Sequence, residues 1–463
     1  MAPKFGTSGL RGLVVDLTPA LVADYTRAFL AACPTGGAVH VGWDLRPSSP
    51  EIVQAVMQAI RAEGLAVKNA GALPTPALAL AAMTTGHAAV MITGSHIPAD
   101  RNGLKFYVPS GEISKEDETG ININLGRAPA GGAEGALEET PGAIDAYVAR
   151  YVAAFGATAL SGLKIGVYQH SSVARDVMIE VIEALGAETV ALARSDIFIP
   201  VDTEALDPET RGMLAGWCAE NGLDAVISTD GDADRPMVSD ATGRVVPGDV
   251  LGALTARWLK AEVICTPVSS NTLVMEMGFD KVVSTKIGSP FVIAAMEAAL
   301  SEDPAARVVG YEANGGFLLG FEAQGPAGKL EPLMTRDCML PILAPLAAAR
   351  AAELPLADLV ASLPPRFTAA DRIAGIETDV SKAFIARLTE DAGARAAFFA
   401  DMGAEDSVDS TDGLRSRFAG GEVVHLRPSG NAPEFRCYAE AASAEQAEEL
   451  VRTYLAKLGT DLG

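Results

Sequence analysis

The chain has 463 residues, 49% of them hydrophobic and 21% charged, with a formal net charge of −23. That length exceeds the roughly 250 to 300 residues at which one hydrophobic core stops growing, so several domains are expected. No apolar run reaches the ~18 residues that span a bilayer, and the acidic balance argues against nucleic acid and anionic membrane as partners.

The stretch from Met1 to Gly12 is polar and glycine-rich and lacks the apolar segment of a secretory signal, so a cytoplasmic protein is expected. Cys33, Cys218, Cys265, Cys338 and Cys437 lie far apart with no C-x-x-C pair, and their odd number does not suit a disulfide framework. They read as buried thiols of a reducing compartment.

Apolar runs of strand length alternate with helix-period segments through the first three quarters of the chain, the pattern of parallel sheets flanked by helices. Three such strands run into polar loops. Ala88 to Ile92 leads into Thr93-Gly94-Ser95-His96, Asp224 to Ile227 into Asp230-Gly231-Asp232-Ala233-Asp234-Arg235, and Arg307 to Val309 into Glu312-Ala313-Asn314-Gly315-Gly316. Ligands of α/β sheets collect beyond the carboxyl ends of strands, so each loop stands where chemistry is expected.

Arg127 to Thr140 is small, polar and glycine-rich and reads as a surface connection near the end of the first unit. Pro247-Gly248-Asp249 opens a helix after the second unit, and Leu363-Pro364-Pro365-Arg366 breaks the chain after the third. The expectation is three α/β units at 1–150, 151–250 and 251–365. A smaller α+β unit at 366–463 carries one more loop, Arg427 to Arg436.

Asp230, Asp232 and Asp234 set three carboxylates at alternate positions after a strand, which repel one another unless a cation lies among them. Oxygen ligands without His or Cys favour Mg²⁺ over zinc. An EF-hand is excluded, because Arg235 and Ala241 stand where it needs Gly and Glu. A solvated acidic turn is the plainer alternative. Ser95 alone is a weak signal, equally a turn or capping serine; His96 alone would more often be structural. Beside the aspartates Ser95 gains meaning, since a phosphoserine carries about −1.5 to −2 charge and is a good Mg²⁺ ligand. Arg427, Ser429, Gly430, Asn431 and Arg436 form a loop able to hold a phosphate, though alone such a loop is more often an ordinary surface turn; Glu312 with Asn314 can exchange hydrogen bonds with sugar hydroxyls, alone a weak signal.

Five segments in order carry a resemblance. They are K-F-G-T-S-G-L-R-G from Lys4, T-G-S-H-I-P-A-D-R-N-G-L-K from Thr93, D-G-D-A-D-R from Asp230, G-Y-E-A-N-G-G from Gly310 and R-P-S-G-N-A-P-E-F-R from Arg427. Together they resemble the signature set of the α-D-phosphohexomutase family, and the opening and serine loop look most like its bacterial phosphomannomutases. The resemblance implies an α/β protein of three similar mixed α/β domains plus a smaller C-terminal α+β domain around a central cleft. It implies a mutase moving phosphate between the 1- and 6-positions of mannose, and of glucose, through a hexose 1,6-bisphosphate that also serves as activator.

In that scheme Ser95 carries the phosphoryl group, and Asp230, Asp232 and Asp234 hold Mg²⁺ with a phosphoserine oxygen. Arg11, His96 and Lys105 stand by the transferring group, Lys105 moving the proton. Thr7, Ser8, Arg235, Lys286, Glu312 and Asn314 meet the substrate, while Arg427, Ser429, Gly430, Asn431 and Arg436 grip the phosphate that is not reacting. The partners are hexose phosphates, and the protein is a monomer or homodimer.

Several positions depart from the family pattern. Gly94 stands for the commoner Ala and Ile97 for Asn. Asn314 and Gly316 replace the Ser and His of Glu-x-Ser-Gly-His; Ser289 stands for a histidine and Asn431 for a threonine. Three alternatives remain open. A phosphoglucosamine mutase would usually have an aspartate at Ser8. A haloacid-dehalogenase-like phosphatase would use Asp230 as nucleophile, but needs Thr or Val where Asp234 stands. A non-catalytic sugar-phosphate sensor would have lost Ser95 or an aspartate.

Overall fold

A computed structural model describes residues 3–6, 9–428 and 434–462. Its first sheet has eight strands, ordered Lys4–Phe5, Leu10–Leu13, Arg101–Val108, Ala88–Ile92, Ala38–Trp43, Ala66–Ala72 and Leu137–Glu139, with Gly111–Glu112 paired onto Arg101–Val108. The second runs Glu188–Arg194, Lys164–His170, Ala225–Thr229, Pro236–Asp240, Val245–Val246. The third runs Lys281–Thr285, Val263–Pro267, Val308–Tyr311, Phe317–Leu319, Leu333–Asp337.

Each of these three sheets is mixed rather than parallel throughout, and the exception falls at the loop. Ala88–Ile92 pairs parallel with Ala38–Trp43 but antiparallel with Arg101–Val108. Ala225–Thr229 and Val308–Tyr311 likewise return into antiparallel partners, with Thr229 facing Pro236 and Tyr311 facing Phe317. An antiparallel return needs only a short connection, whereas a parallel one needs a crossover of a dozen residues or more. The three chemistry-bearing loops are therefore equivalent hairpin turns at the carboxyl ends of buried strands.

The connection expected over 127–140 is mostly exposed, but its last residues form the Leu137–Glu139 strand, parallel to Ala66–Ala72 through Val67 facing Leu137. The triplet is exposed on every residue, so it has no apolar alternation by which to be read. Helix starts are locally encoded: Thr18 caps Pro19–Ala32 by accepting from Leu21 N at 3.3 Å, and Ser114 with Asp117 forms a capping box on Lys115–Ile123. The five cysteines are buried and free.

One continuous apolar core runs from Leu73 in the first sheet's helical layer through the second and third units to Leu363. The last unit, an antiparallel sheet of Phe367–Ala374, Glu434–Ala441, Val423–Pro428, Leu414–Phe418 and Glu405–Asp409, has its own core around Leu388, Leu426, Phe435 and Tyr454. Polar bonds tie it to the third unit: Asn271 Nδ2 donates to Arg366 O at 2.9 Å, Thr272 N to Glu440 at 2.9 Å and Ile287 N to Asp412 at 2.9 Å. Three units thus form a fused platform, and the fourth is attached through hydrogen bonds at its edge. No helix among the described residues is long and apolar enough to cross a membrane.

Candidate active site

Ser95 is buried and held at φ 54°, a left-handed conformation that a non-glycine residue adopts only when its surroundings enforce it. The enforcement is visible. Its N–H donates to Thr93 Oγ1 at 2.7 Å, and its carbonyl accepts from Arg46 Nη2 at 2.8 Å. The same guanidinium donates to the carbonyls of Ile97 at 2.5 Å, Pro98 at 2.7 Å and Arg101 at 2.9 Å. Asp44 anchors it through Arg46 Nε at 3.2 Å and also accepts from Thr93 and Ser49, each at 2.7 Å. Phe198 of the second unit covers the guanidinium, its ring 4.1 Å away. Arg46 had no motif to mark it, since it lies on a different loop of the first unit.

The Ser95 hydroxyl donates to the Asp230 carboxylate and lies 3.3 Å from His96 Nδ1. The three aspartates are buried, with ligand atoms within 4.8 Å of one another. Burial, then Asp232 and Asp234, push the Asp230 carboxyl well above its ordinary value. Burial would raise Asp232 too, but Lys105, Thr75 and Arg11 outweigh it and hold that carboxyl far below the usual range. Thr75, at the start of the Thr75–Thr85 helix, donates from Oγ1 to the Asp232 carboxylate at 2.6 Å and from its backbone N to the Asp232 main-chain carbonyl at 2.9 Å. Lys105 Nζ reaches Asp232 at 2.6 Å and Asp234 at 2.5 Å.

The donor set fits a hard divalent cation. Among the described residues, Asp232 Oδ1 and Asp234 Oδ1 are buried with no hydrogen-bond partner, which is unfavourable for a carboxylate unless a cation meets it. All three side chains offer oxygen alone, the chemistry of Mg²⁺.

Arg11 donates to Thr93 O at 2.8 Å, and burial brings its guanidinium down to about 10, still cationic at neutral pH. Burial, then Arg235 and Arg11, push His96 down to about 2, which leaves a neutral imidazole beside the serine. Arg235 Nε is 3.9 Å from Asp234. In the third unit Glu312 and Asn314 are buried; Asn314 Oδ1 accepts from Gly316 N at 2.9 Å, closing the turn, which leaves its amide N–H groups to donate. Lys286 is exposed after the Lys281–Thr285 strand, its amine 5.9 Å from the Phe291 ring.

In the fourth unit Arg427 and Arg436 face each other across neighbouring strands. Like charges directly opposed are unfavourable, and an anion between them would relieve the repulsion. Asp412 partly offsets it, 3.0 Å from Arg427 Nε. Thr7, Ser8, Ser429, Gly430 and Asn431 lie outside the described residues. Sequence reasoning also passed over Glu112 and Arg336, which meet beside Asp234 of the metal loop from the first and third units.

Models of phosphoglucomutase/phosphomannomutase domains match the whole arrangement: alpha/beta/alpha domain I over residues 2–128, domain II over 145–243, domain III over 247–367 and the C-terminal domain over 376–456. The chain is 44% identical to a phosphomannomutase of Sinorhizobium fredii, with 100% of each chain covered. It is 41% identical to a phosphomannomutase of Salmonella muenchen, covering 99% of this chain and 96% of that one. A crystal structure of a phosphoglucomutase/phosphomannomutase family protein from Burkholderia thailandensis shares the fold, with a TM-score of 0.77 at 22% identity over 99% of this chain and 98% of that one.

Proposed function

The chain belongs to the phosphoglucomutase/phosphomannomutase family of phosphohexomutases, and on that premise we propose that it interconverts mannose 1-phosphate and mannose 6-phosphate, and the glucose phosphates, through a phosphorylated Ser95. The observation that carries this reading is the Ser95 hydroxyl on Asp230, beside two buried aspartate oxygens with no hydrogen-bond partner among the described residues. Members of the family depend on magnesium, and Asp230, Asp232 and Asp234 would hold it here. When bound, Mg²⁺ supplies Lewis-acid stabilisation of charge on the phosphoryl oxygens.

In the first half-reaction the bond from Ser95 Oγ to phosphorus breaks as a bond from phosphorus to the free sugar hydroxyl forms. The hydroxyl's proton passes by way of Lys105 to Ser95 Oγ, so the proton the sugar loses is the one the serine regains, and the phosphoryl charge moves from the protein to the sugar. Arg11 and Arg235 lend positive charge to the equatorial oxygens. Glu312 and Asn314 hold sugar hydroxyls, while Arg427 and Arg436 grip the distal phosphate; Ser429, Gly430 and Asn431 are assigned to the same phosphate from their sequence motif alone. The hexose 1,6-bisphosphate then reverses in the cleft, and the second half-reaction returns a phosphoryl group to Ser95. His96, neutral and beside Oγ, orients the serine and does not supply charge. Lys286, and in the family scheme Thr7 and Ser8, are assigned to substrate contact.

The test is conversion of mannose 1-phosphate, run beside glucose and glucosamine 1-phosphates with Mg²⁺ and a trace of hexose 1,6-bisphosphate as activator. Turnover of mannose and glucose phosphates above glucosamine phosphate is expected. Turnover of glucosamine phosphate alone would overturn the sugar assignment, and none on any of the three would overturn the mutase.

A further inference from the structure

Arg336, on the Leu333–Asp337 strand, is almost wholly buried where three units meet, and each unit sends it a carboxylate. Asp234 of the metal loop lies 2.8 Å from Nη2, Glu312 of the sugar loop 3.4 Å from Nη1, and Glu112 of the first unit 3.6 Å from Nε. Glu112 is itself fixed from the third unit, accepting from Ser289 Oγ at 2.6 Å and Thr335 Oγ1 at 3.1 Å. The room for this side chain is made by Gly316. A Cβ there would lie 2.9, 3.0 and 3.1 Å from the Cγ, Cδ and Cβ of Arg336. Any larger residue would therefore press on the arginine, and the sugar-loop position at which the family motif reads histidine is given over to an arginine arriving from the neighbouring strand.

The two carboxylates that share the fork have different tasks. A fixed cation 2.8 Å from Asp234 draws on charge that would otherwise favour a metal ion. The same cation, 3.4 Å from Glu312, sets the direction in which that carboxylate presents its oxygens as hydroxyl acceptors. We infer that Arg336 is a positioning residue that couples the sugar loop to the metal loop, strengthening hexose-phosphate binding through Glu312 while restraining Mg²⁺ affinity through Asp234. The sugar half of this inference rests on the reading of Glu312 given above.

The coupling predicts effects of opposite sign, which a merely structural arginine would not produce. In calorimetric titrations of dephosphorylated protein, Arg336→Met is expected to weaken mannose 1-phosphate and glucose 1-phosphate roughly 10-fold or more, the scale of one charge-assisted hydrogen bond. Mg²⁺ titrated alone should bind several-fold more tightly, on the order of one partly screened charge contact. Arg336→Lys keeps the charge without the fork, so Mg²⁺ affinity should stay near that of the unaltered protein while sugar phosphate is only partly restored.

Gly316→Ala leaves the charge but displaces it, and should shift both ligands in the directions of Arg336→Met by a smaller factor. In the Arg336→Met background no charge remains to be displaced, so the alanine should not move Mg²⁺ affinity further. Parallel weakening of both ligands, no change in either, or additive effects of the two substitutions on Mg²⁺ would overturn the coupling. If the unaltered protein binds neither hexose phosphate, the functional reading fails by itself; the Mg²⁺ response of Arg336→Met and Gly316→Ala still decides whether Arg336 restrains the metal loop.

Discussion

Arg46 donates to the carbonyl oxygen of Ser95 at 2.8 Å, and through three further carbonyls it wraps the loop that carries the serine. Its partner Asp44 is fully buried, so the pair is a rigid post rather than a surface contact. Around it the backbone is bent into a left-handed residue that aims Ser95 at Asp230. Positioning by buried, fully bonded neighbours is how a nucleophile is held within a fraction of an ångström of its target.

Gly94 is part of that post. A Cβ at this position would lie 2.4 Å from Arg46 Cζ, 2.5 Å from Nε and 2.7 Å from Nη2, and the guanidinium has nowhere to retreat. Gly94→Ala is therefore expected to cost about 1 to 3 kcal/mol, the usual price of overpacking, and to slow turnover by shifting Ser95. Urea unfolding and the mutase rate check both; an unchanged midpoint with an unchanged rate would contradict the account.

Asp230→Asn addresses the metal. Burial and the neighbouring carboxylates oppose ionised Asp230, so the variant without metal should be as stable as the unaltered protein or more so. Mg²⁺ should raise the melting temperature of the unaltered protein and leave Asp230→Asn unmoved, because only a folded trio of carboxylates binds it. Chelation should abolish turnover. A variant that still gained stability from Mg²⁺ would place the ion elsewhere.

Asp249 gives a pH signature remote from the chemistry. Burial pushes its carboxyl up to about 7, although Asn271 N donates to it at 2.8 Å. A raised acid is protonated in the folded state while the unfolded chain, near 3.9, has already lost its proton. Its contribution is thus most favourable below about pH 4 and is lost as pH rises to 7. Asp249→Asn keeps an acceptor without the charge, so its stability relative to the unaltered protein should rise between pH 4.5 and pH 8, read from urea midpoints. A constant difference across that range would contradict the assignment.

Arg436→Ala tests the phosphate grip. Removing Arg436 relieves its opposition to Arg427 but also ends its 3.5 Å pair with Glu434, so ligand-free stability should change little, while KM for hexose phosphate rises about 10-fold or more for loss of a charge-assisted contact. Equal loss of kcat with KM unchanged would move Arg436 from the distal phosphate to the reacting one.

Much of the candidate site is legible in the sequence. Ser95, the aspartates and Glu312 lie in short polar turns immediately after apolar runs, and the Ala88–Ile92 strand has the bounds its apolar run suggests. What was not legible came from distance along the chain. Arg46 precedes the serine it positions by 49 residues, and Thr75 precedes its aspartate by 157. Arg336 and Glu112 belong to the site only because the third and first units fold together. Strand direction was hidden as well, since a buried apolar run reads alike whether its neighbour is parallel or antiparallel. Gly94 and Gly316 were visible as departures from a family pattern, but their reason, an arginine side chain filling each absent Cβ, is purely three-dimensional.

The most direct measurement is peptide mass analysis of the protein after incubation with glucose 1,6-bisphosphate and Mg²⁺, beside Ser95→Ala. The account predicts one added phosphoryl group on the peptide holding Ser95, discharged by excess hexose monophosphate and absent from the variant. Phosphate on an aspartate of the metal loop, or equal labelling and undiminished turnover in Ser95→Ala, would contradict it.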